Sequence, residues 1–301
     1  MEQMDYQLLA QRAAADHRRH RWYLLRLFAK RKTAVASVAV LLLMTLAAVF
    51  APRVAPYPNQ GRGAMNLTQR LEPPSAAHLL GTDEYGRDLL SRTIYGARIS
   101  IFGGLLIVIC AVLIGVPLGL WAGYREGLPA AAITLVVELM LSFPSVLLAM
   151  GISIVMGASF VTAIIALIIP WWPWYTRLVQ GEVQSIKHKL FVEAAQMLGY
   201  GRAYVMFRHL LPNILTPVIV MMLLDFGPAI IAIGLLSFLG LGTQPPAADW
   251  GLMVWKGAPN ILDQWWIAVV PGCAMFILVI AFNLLGDTIK DLLEPGQGRG
   301  L

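Results

Sequence analysis

Six stretches of this chain, at 34–50, 99–123, 130–150, 161–179, 214–239 and 266–285, are almost purely apolar, and polar connectors separate them. Each is about twenty residues long, which at 1.5 Å per residue crosses roughly 30 Å of hydrocarbon. An open sheet edge cannot satisfy its backbone in lipid, so each stretch is expected to be a transmembrane helix. Seven prolines fall inside them: Pro117, Pro144, Pro170, Pro173, Pro217, Pro228 and Pro271. In a soluble helix interior each would cost about 3 kcal/mol. Membrane helices accept proline where neighbouring helices or water take up the freed carbonyls. The prolines fit kinked helices around a pathway, and they also fit tight packing alone.

Composition agrees with this pattern. Of the 301 residues 58% are hydrophobic and 13% charged, and the mean hydropathy is +0.67; soluble domains carry about a quarter charged residues. The fold class is therefore an all-α polytopic membrane protein. Cys110 and Cys273 lie inside apolar runs, whereas a disulfide framework or zinc site would place cysteines in loops at close spacing. They read as small packing residues.

The net charge of +6 bears on topology rather than on nucleic acid, because Lys and Arg concentrate in cytoplasmic loops. Sixteen of the 23 basic residues lie before the first span, at the end of span four (Arg177) and in the connector after it, and at Arg125, Lys290 and Arg299. That side is read as cytoplasmic, with both termini on it. Arg53, Arg98 and four other arginines of the 51–98 segment dilute the bias.

The chain divides into a basic amphipathic cytoplasmic segment (1–32), a first span (33–51), an external segment (52–98), a five-helix core (99–290) and a cytoplasmic tail (291–301). Trp22, Leu24, Leu25, Leu27 and Phe28 interleave with Arg21, Arg26, Lys30 and Arg31. That suits a helix on anionic headgroups, or a basic tail that only sets topology. The first span reads as retained, since its apolar core exceeds the 7–15 residues of a signal peptide. The external segment and the 240–265 loop, with Pro245, Pro246, Trp250 and Trp255, suit partner docking or an interfacial aromatic belt.

The internal loop at about 181–213 carries the most informative pattern. Leu190, Ala194 and Leu198 recur at i, i+4 spacing, with Phe191 and Ala195 beside them, which predicts one short amphipathic helix. Gly199 and Gly201 supply a turn. Residues 203–210 form a second helix, which Pro212 is expected to stop. Such a knob between two spans is a place for a soluble partner to push.

Glu193-Ala194-Ala195, with Gly199 six residues after the glutamate and Leu211-Pro212 before the next span, resembles the EAA loop of permease subunits in ABC importers. His209 stands where that pattern has an apolar residue, a departure expected to alter local packing. Leu80-Gly81-Thr82-Asp83-Glu84-Tyr85-Gly86-Arg87-Asp88 resembles the external segment of the second permease of peptide and nickel importers (DppC/OppC type). So do Phe238-Leu239-Gly240-Leu241-Gly242-Thr243-Gln244-Pro245-Pro246 and Phe282-Asn283-Leu284-Leu285-Gly286-Asp287.

The resemblance implies an ABC type I importer permease in a bacterial inner membrane, working on di- or oligopeptides; nickel chelates and glutathione share these motifs. It implies a homologous second permease, two cytoplasmic ATPase subunits and an extracytoplasmic binding protein as partners. The EAA residues would form the coupling helix. The chain has no G-x-x-x-x-G-K-S/T loop to cradle phosphates, so ATP and magnesium belong to the ATPase partners, and no cofactor or catalytic residue is expected here.

Glu138 and Asp225 fall inside spans, where a carboxylate costs about 2.5–3.5 kcal/mol on insertion scales and should face a cavity or partner. Asp225 is a candidate to line the pathway and meet a peptide's ammonium group; a structural hydrogen bond or a protonated acid is the other reading. A proton-coupled secondary transporter using Glu138 and Asp225 is the rival from another class. The acids near 81–88 fit a salt-bridged turn better than a metal site, because Arg87, Gly81 and Gly86 are mixed among them.

Overall fold

The computed structural model describes residues 26–293. Most of the basic amphipathic segment (1–25) and the end of the tail (294–301) lie outside the described residues. The principal helices are α1 (Lys32–Val49), α2 (Leu89–Tyr124), α3 (Leu128–Leu141), α4 (Ser145–Met156), α5 (Phe160–Ile186), α6 (Leu190–Met197), α7 (Arg202–Phe238), α8 (Trp250–Gly257) and α9 (Trp266–Leu293). Among the described residues there is no strand, and Thr82 and Asp88 make one isolated antiparallel bridge. By length and apolarity α1, α2, α7 and α9 can cross a bilayer, as can α3 and α4 taken together as one broken span. α5 is 27 residues long, but its prolines, tryptophans, Arg177 and Glu182 dilute its apolar character.

Three expectations are corrected. α2 begins ten residues before the expected span, so the end of the 52–98 segment is helical. Asp88 caps it by accepting from the Ser91 N–H at 2.7 Å. At 36 residues the helix is about 54 Å long and projects beyond the hydrocarbon. The 130–150 stretch is two helices bent by 89°, because Pro144 lacks an N–H and disfavours helical backbone at Phe143. Pro212 does not stop a helix: α7 runs through it, with a π-turn over Val205–Leu210 just before. A widened turn gives the proline ring room that a tight α-turn denies.

Close packing of α2 on α5 forms the spine of the bundle. Gly115, Gly119 and Gly123 form a row on α2; a Cβ on them would approach Trp172 O, Thr176 O and Val183 Cβ at 2.6, 2.6 and 2.8 Å. Without side chains the two backbones meet directly, as small residues allow between membrane helices. The Thr176 hydroxyl donates to the Gly115 carbonyl across the seam at 3.1 Å.

At one end of the bundle the 51–88 segment and the 240–265 loop form a common cap. Asp83 pairs with Arg87 at 2.7 Å and with Arg92 at 3.5 Å, the salt-bridged turn expected there, with left-handed Gly81 and Gly86. Arg92 also donates to the carbonyls of Pro246 and Ala247 at 3.3 and 3.1 Å. Trp250, fully buried, donates to the Thr93 carbonyl at 2.9 Å. At the opposite end Arg31 pairs with Asp291 at 2.6 Å, joining α1 to α9.

Candidate functional site

Two places carry candidate chemistry: the α6 knob at the end opposite the cap, and a cavity inside the bundle.

The knob follows α5 directly. Val192 and Ala195 are buried and join a core with Val179, Val183, Val205, Leu210 and Ile214 from α5 and α7. Only this narrow stripe of α6 faces inward, which corrects the expected apolar face. Leu190, Met197 and Leu198 are 84%, 88% and 76% exposed; α6 presents them outward. An exposed apolar ridge on a helix held by a fixed core is the usual surface form of a docking site.

Of the EAA residues, Glu193 is half-buried, Ala194 exposed and Ala195 buried. Gly199 ends the helix at φ +81°, a left-handed cap that glycine takes without steric cost. Leu211 is half-buried and Pro212 exposed on α7. Beside the knob, a polar cavity of about 580 Å³ is lined by Tyr124, Arg125, Lys187, Glu193, Gln196 and Arg202 among others. Gln196 donates to the Tyr124 hydroxyl at 3.1 Å, and Lys187 pairs with Glu126 at 3.1 Å. The first contact ties α6 to the end of α2, and the second ties the α5–α6 link to the α2–α3 turn. His209 packs with Tyr200 and Tyr204, whose stacked rings lie 4.5 Å apart. The sequence pointed to the position but not to this aromatic group.

The second place is a cavity of about 270 Å³ lined by Ser145, Trp171, Trp174, Met221 and Asp225. Its walls are the start of α4, the proline-interrupted part of α5 and the middle of α7. The Tyr175 hydroxyl and the Trp171 indole lie beside the Asp225 carboxylate, yet neither Oδ2 nor the Tyr175 hydroxyl, both buried, makes a well-formed hydrogen bond. Glu138 is exposed on α3 and does not line this cavity. The structure thus separates the two acids. The tryptophans were missed in the sequence, although the run from Trp171 to Tyr175 is the densest aromatic signal in any span. Among the described residues, no group of three or more His, Cys, Asp or Glu could hold a metal ion.

Comparison with known proteins follows the same lines. Residues 115–299 match the family described as binding-protein-dependent transport system inner membrane component, and residues 21–74 match the N-terminal TM domain of oligopeptide transport permease C. The chain is 42% identical to the probable D,D-dipeptide transport system permease protein DdpC of Escherichia coli K12, covering 88% of each chain. It is 40% identical to the di/tripeptide transport system permease protein DppC of Pseudomonas aeruginosa, covering 89% of each. The glutathione transport system permease protein GsiD of Pectobacterium atrosepticum is 36% identical over 90% of this chain and 89% of its own length. Among solved structures, the MetNI methionine ABC transporter in an inward-facing conformation matches with a TM-score of 0.55 at 16% identity. That match covers 67% of this chain and 96% of the other.

Proposed function

The chain belongs to the binding-protein-dependent transport system inner membrane component family, and from that premise we propose that it forms half of the translocation pathway of an ATP-driven peptide importer. Membership makes it a transport component of the inner membrane rather than an enzyme, with the ABC type I importer permease fold. It also removes the motive for the proton-coupled alternative. In our reading α5 completes six spans, both termini face the cytoplasm, and a homologous permease supplies the other half of the pathway. Two ATPase subunits dock beneath, and an extracytoplasmic binding protein delivers the cargo.

The observation that carries the mechanical part is the outward ridge of α6. Leu190, Met197 and Leu198 stand exposed on a helix whose other side is locked to α5 and α7. Exposed apolar side chains at this density suit a groove in a soluble partner. ATP-driven closure of the ATPase pair would move the knob, and the α2–α5 seam would carry the movement along the bundle. Glu193 and the Gly199 turn keep the ridge at its angle; they transmit force and do no chemistry. Peptides are the preferred cargo because relatives at 40–42% identity carry di- and tripeptide names; the glutathione relative keeps a second peptide-like cargo in view.

The test is gentle extraction of the tagged chain, identification of co-purifying subunits, and ATP hydrolysis and peptide uptake by the reconstituted complex. Recovery of a second permease and an ATPase, with uptake lost when Gly199 is replaced by valine, is the expected result. Purification of the chain alone, with transport that ignores ATP, would overturn the proposal.

A further inference from the structure

Resting on the importer reading above, the geometry points to the Asp225 cavity as a subsite for a primary ammonium group, the amino end of a peptide passing through the permease. Asp225 is the acid lining the cavity, and none of the other four lining residues, Ser145, Trp171, Trp174 and Met221, is charged. The donors within reach of its buried carboxylate, the Tyr175 hydroxyl and the Trp171 indole, are neutral, and Oδ2 makes no well-formed hydrogen bond with them, so the carboxylate faces the cavity without a cation to balance it. Among the described residues no Lys or Arg pairs with Asp225.

The rest of the lining suits the same ligand. Two tryptophans, one of them half-exposed (Trp174), offer aromatic faces that attract an ammonium through the ring quadrupole. Ser145 adds a hydroxyl that accepts a second N–H, and Met221 adds a soft apolar wall. A transition metal would ask for imidazole or thiolate ligands, and the lining has neither. The volume of about 270 Å³ lies just below the 300–1,000 Å³ of sites that enclose a drug-sized ligand. It holds the amino end and first side chain of a peptide, not the whole. The position also fits transit. α4, α5 and α7 meet here beside the α3–α4 break and within a few turns of Pro170, Pro173, Pro217 and Pro228, where the helices are least regular.

The test uses membranes containing the full chain with its partners. Cys110 and Cys273 are replaced by alanine, and Ser145→Cys places one thiol in the cavity. Its modification by an ammonium-bearing methanethiosulfonate is compared with that by the sulfonate-bearing reagent, each relative to its rate on a free thiol. The expected result is roughly a tenfold preference for the cationic reagent, the size of a charge-assisted hydrogen bond to a carboxylate. L-alanyl-L-alanine should slow the labelling and its N-acetyl form should not. Asp225→Asn should erase both effects. Equal relative rates, or a preference that survives Asp225→Asn, overturns the inference; Met221→Cys replaces Ser145→Cys if the latter fails to insert. The labelling does not depend on ATP hydrolysis, so failure to recover an ATPase would sink the importer reading and leave this result standing.

Discussion

Replacing Gly119 with alanine perturbs the α2–α5 seam in the middle of its glycine row. A Cβ there would lie 2.6 Å from Thr176 O, 2.7 Å from Val179 Cβ and 2.9 Å from Val179 Cγ1. Ordinary carbon contacts are about 3.5–4.0 Å, so the helices must part by about 1 Å. One of the obstructing atoms is backbone and cannot rotate away. Overpacking of this kind costs about 1–3 kcal/mol, and alanine's better helix propensity returns up to about 1 kcal/mol. The net expectation is a loss of up to about 3 kcal/mol.

Gly151 in α4 and Gly181 in α5 are internal controls, because a Cβ on either meets nothing within 4 Å. Their alanine variants should be neutral or stabilised by up to about 1 kcal/mol. Thermal unfolding of the detergent-purified complex, read by the loss of its monodisperse chromatographic peak, ranks the three. Gly115→Ala combined with Gly119→Ala should cost less than the sum, since the first substitution already opens the seam for the second. A Gly119→Ala protein as stable as Gly181→Ala would refute the direct-contact reading of the seam.

Arg92→Met removes the donors to Pro246 and Ala247 and one of the two cations beside Asp83. Breaking a buried ion pair costs roughly 3–5 kcal/mol, and the lower end is expected because Arg87 remains at 2.7 Å. Faster protease cleavage in the 243–249 loop is the readout. Leu198→Asp should leave stability within about 0.5 kcal/mol, as for other exposed positions, yet abolish ATPase co-purification; unchanged co-purification counts against the knob. Asp249 caps α8 by accepting from the Leu252 N–H at 2.9 Å, and burial raises its carboxyl above the ordinary range. Asp249→Ala should cost about 1–2 kcal/mol, while Asn keeps the acceptor and avoids the buried charge. Because the folded value is raised, the stabilisation is present below the unfolded value of about 3.9 and lost as pH rises through the folded one. Asp249→Asn should flatten that part of the pH–stability curve, and an unchanged slope would point to another group.

Hydrophobic run length made the membrane class legible, and the Glu-Ala-Ala, glycine and Leu-Pro spacing located the knob. The orientation of α6 was not legible, because Leu190, Ala194 and Leu198 form a proper helical stripe that nevertheless stands exposed. Burial went instead to Val192 and Ala195, which only α5 and α7 could reveal. Pro144 and Pro212 look alike in sequence, yet one breaks a span and the other sits inside a helix. The difference is the preceding turn, where Val205–Leu210 widens and Ser142–Pro144 does not. Asp225 was visible as a lone acid; its tryptophan neighbours were not, since they come from another helix.

α5 connects the two candidate places. Its middle carries Trp171 and Trp174 at the cavity, its second half carries Val179 and Val183 against α6, and the stretch from Trp172 to Val183 lies along the glycine row of α2. The cavity and the knob are therefore on one rod held by one seam, where the α2 side of the row is glycine and Tyr175, Val179 and Val183 of α5 reach across. Those side chains already fill the seam, so a movement of α6 shifts α5 or parts the helices. Pro170 and Pro173 lie beside the cavity in the middle of that rod, where missing backbone donors make bending easiest. Force applied at the knob is thus delivered where the cavity wall can yield, so Gly119→Ala should uncouple ATP hydrolysis from uptake at temperatures where the complex is still intact. Hydrolysis and uptake falling in parallel in that variant would place the compliant point elsewhere.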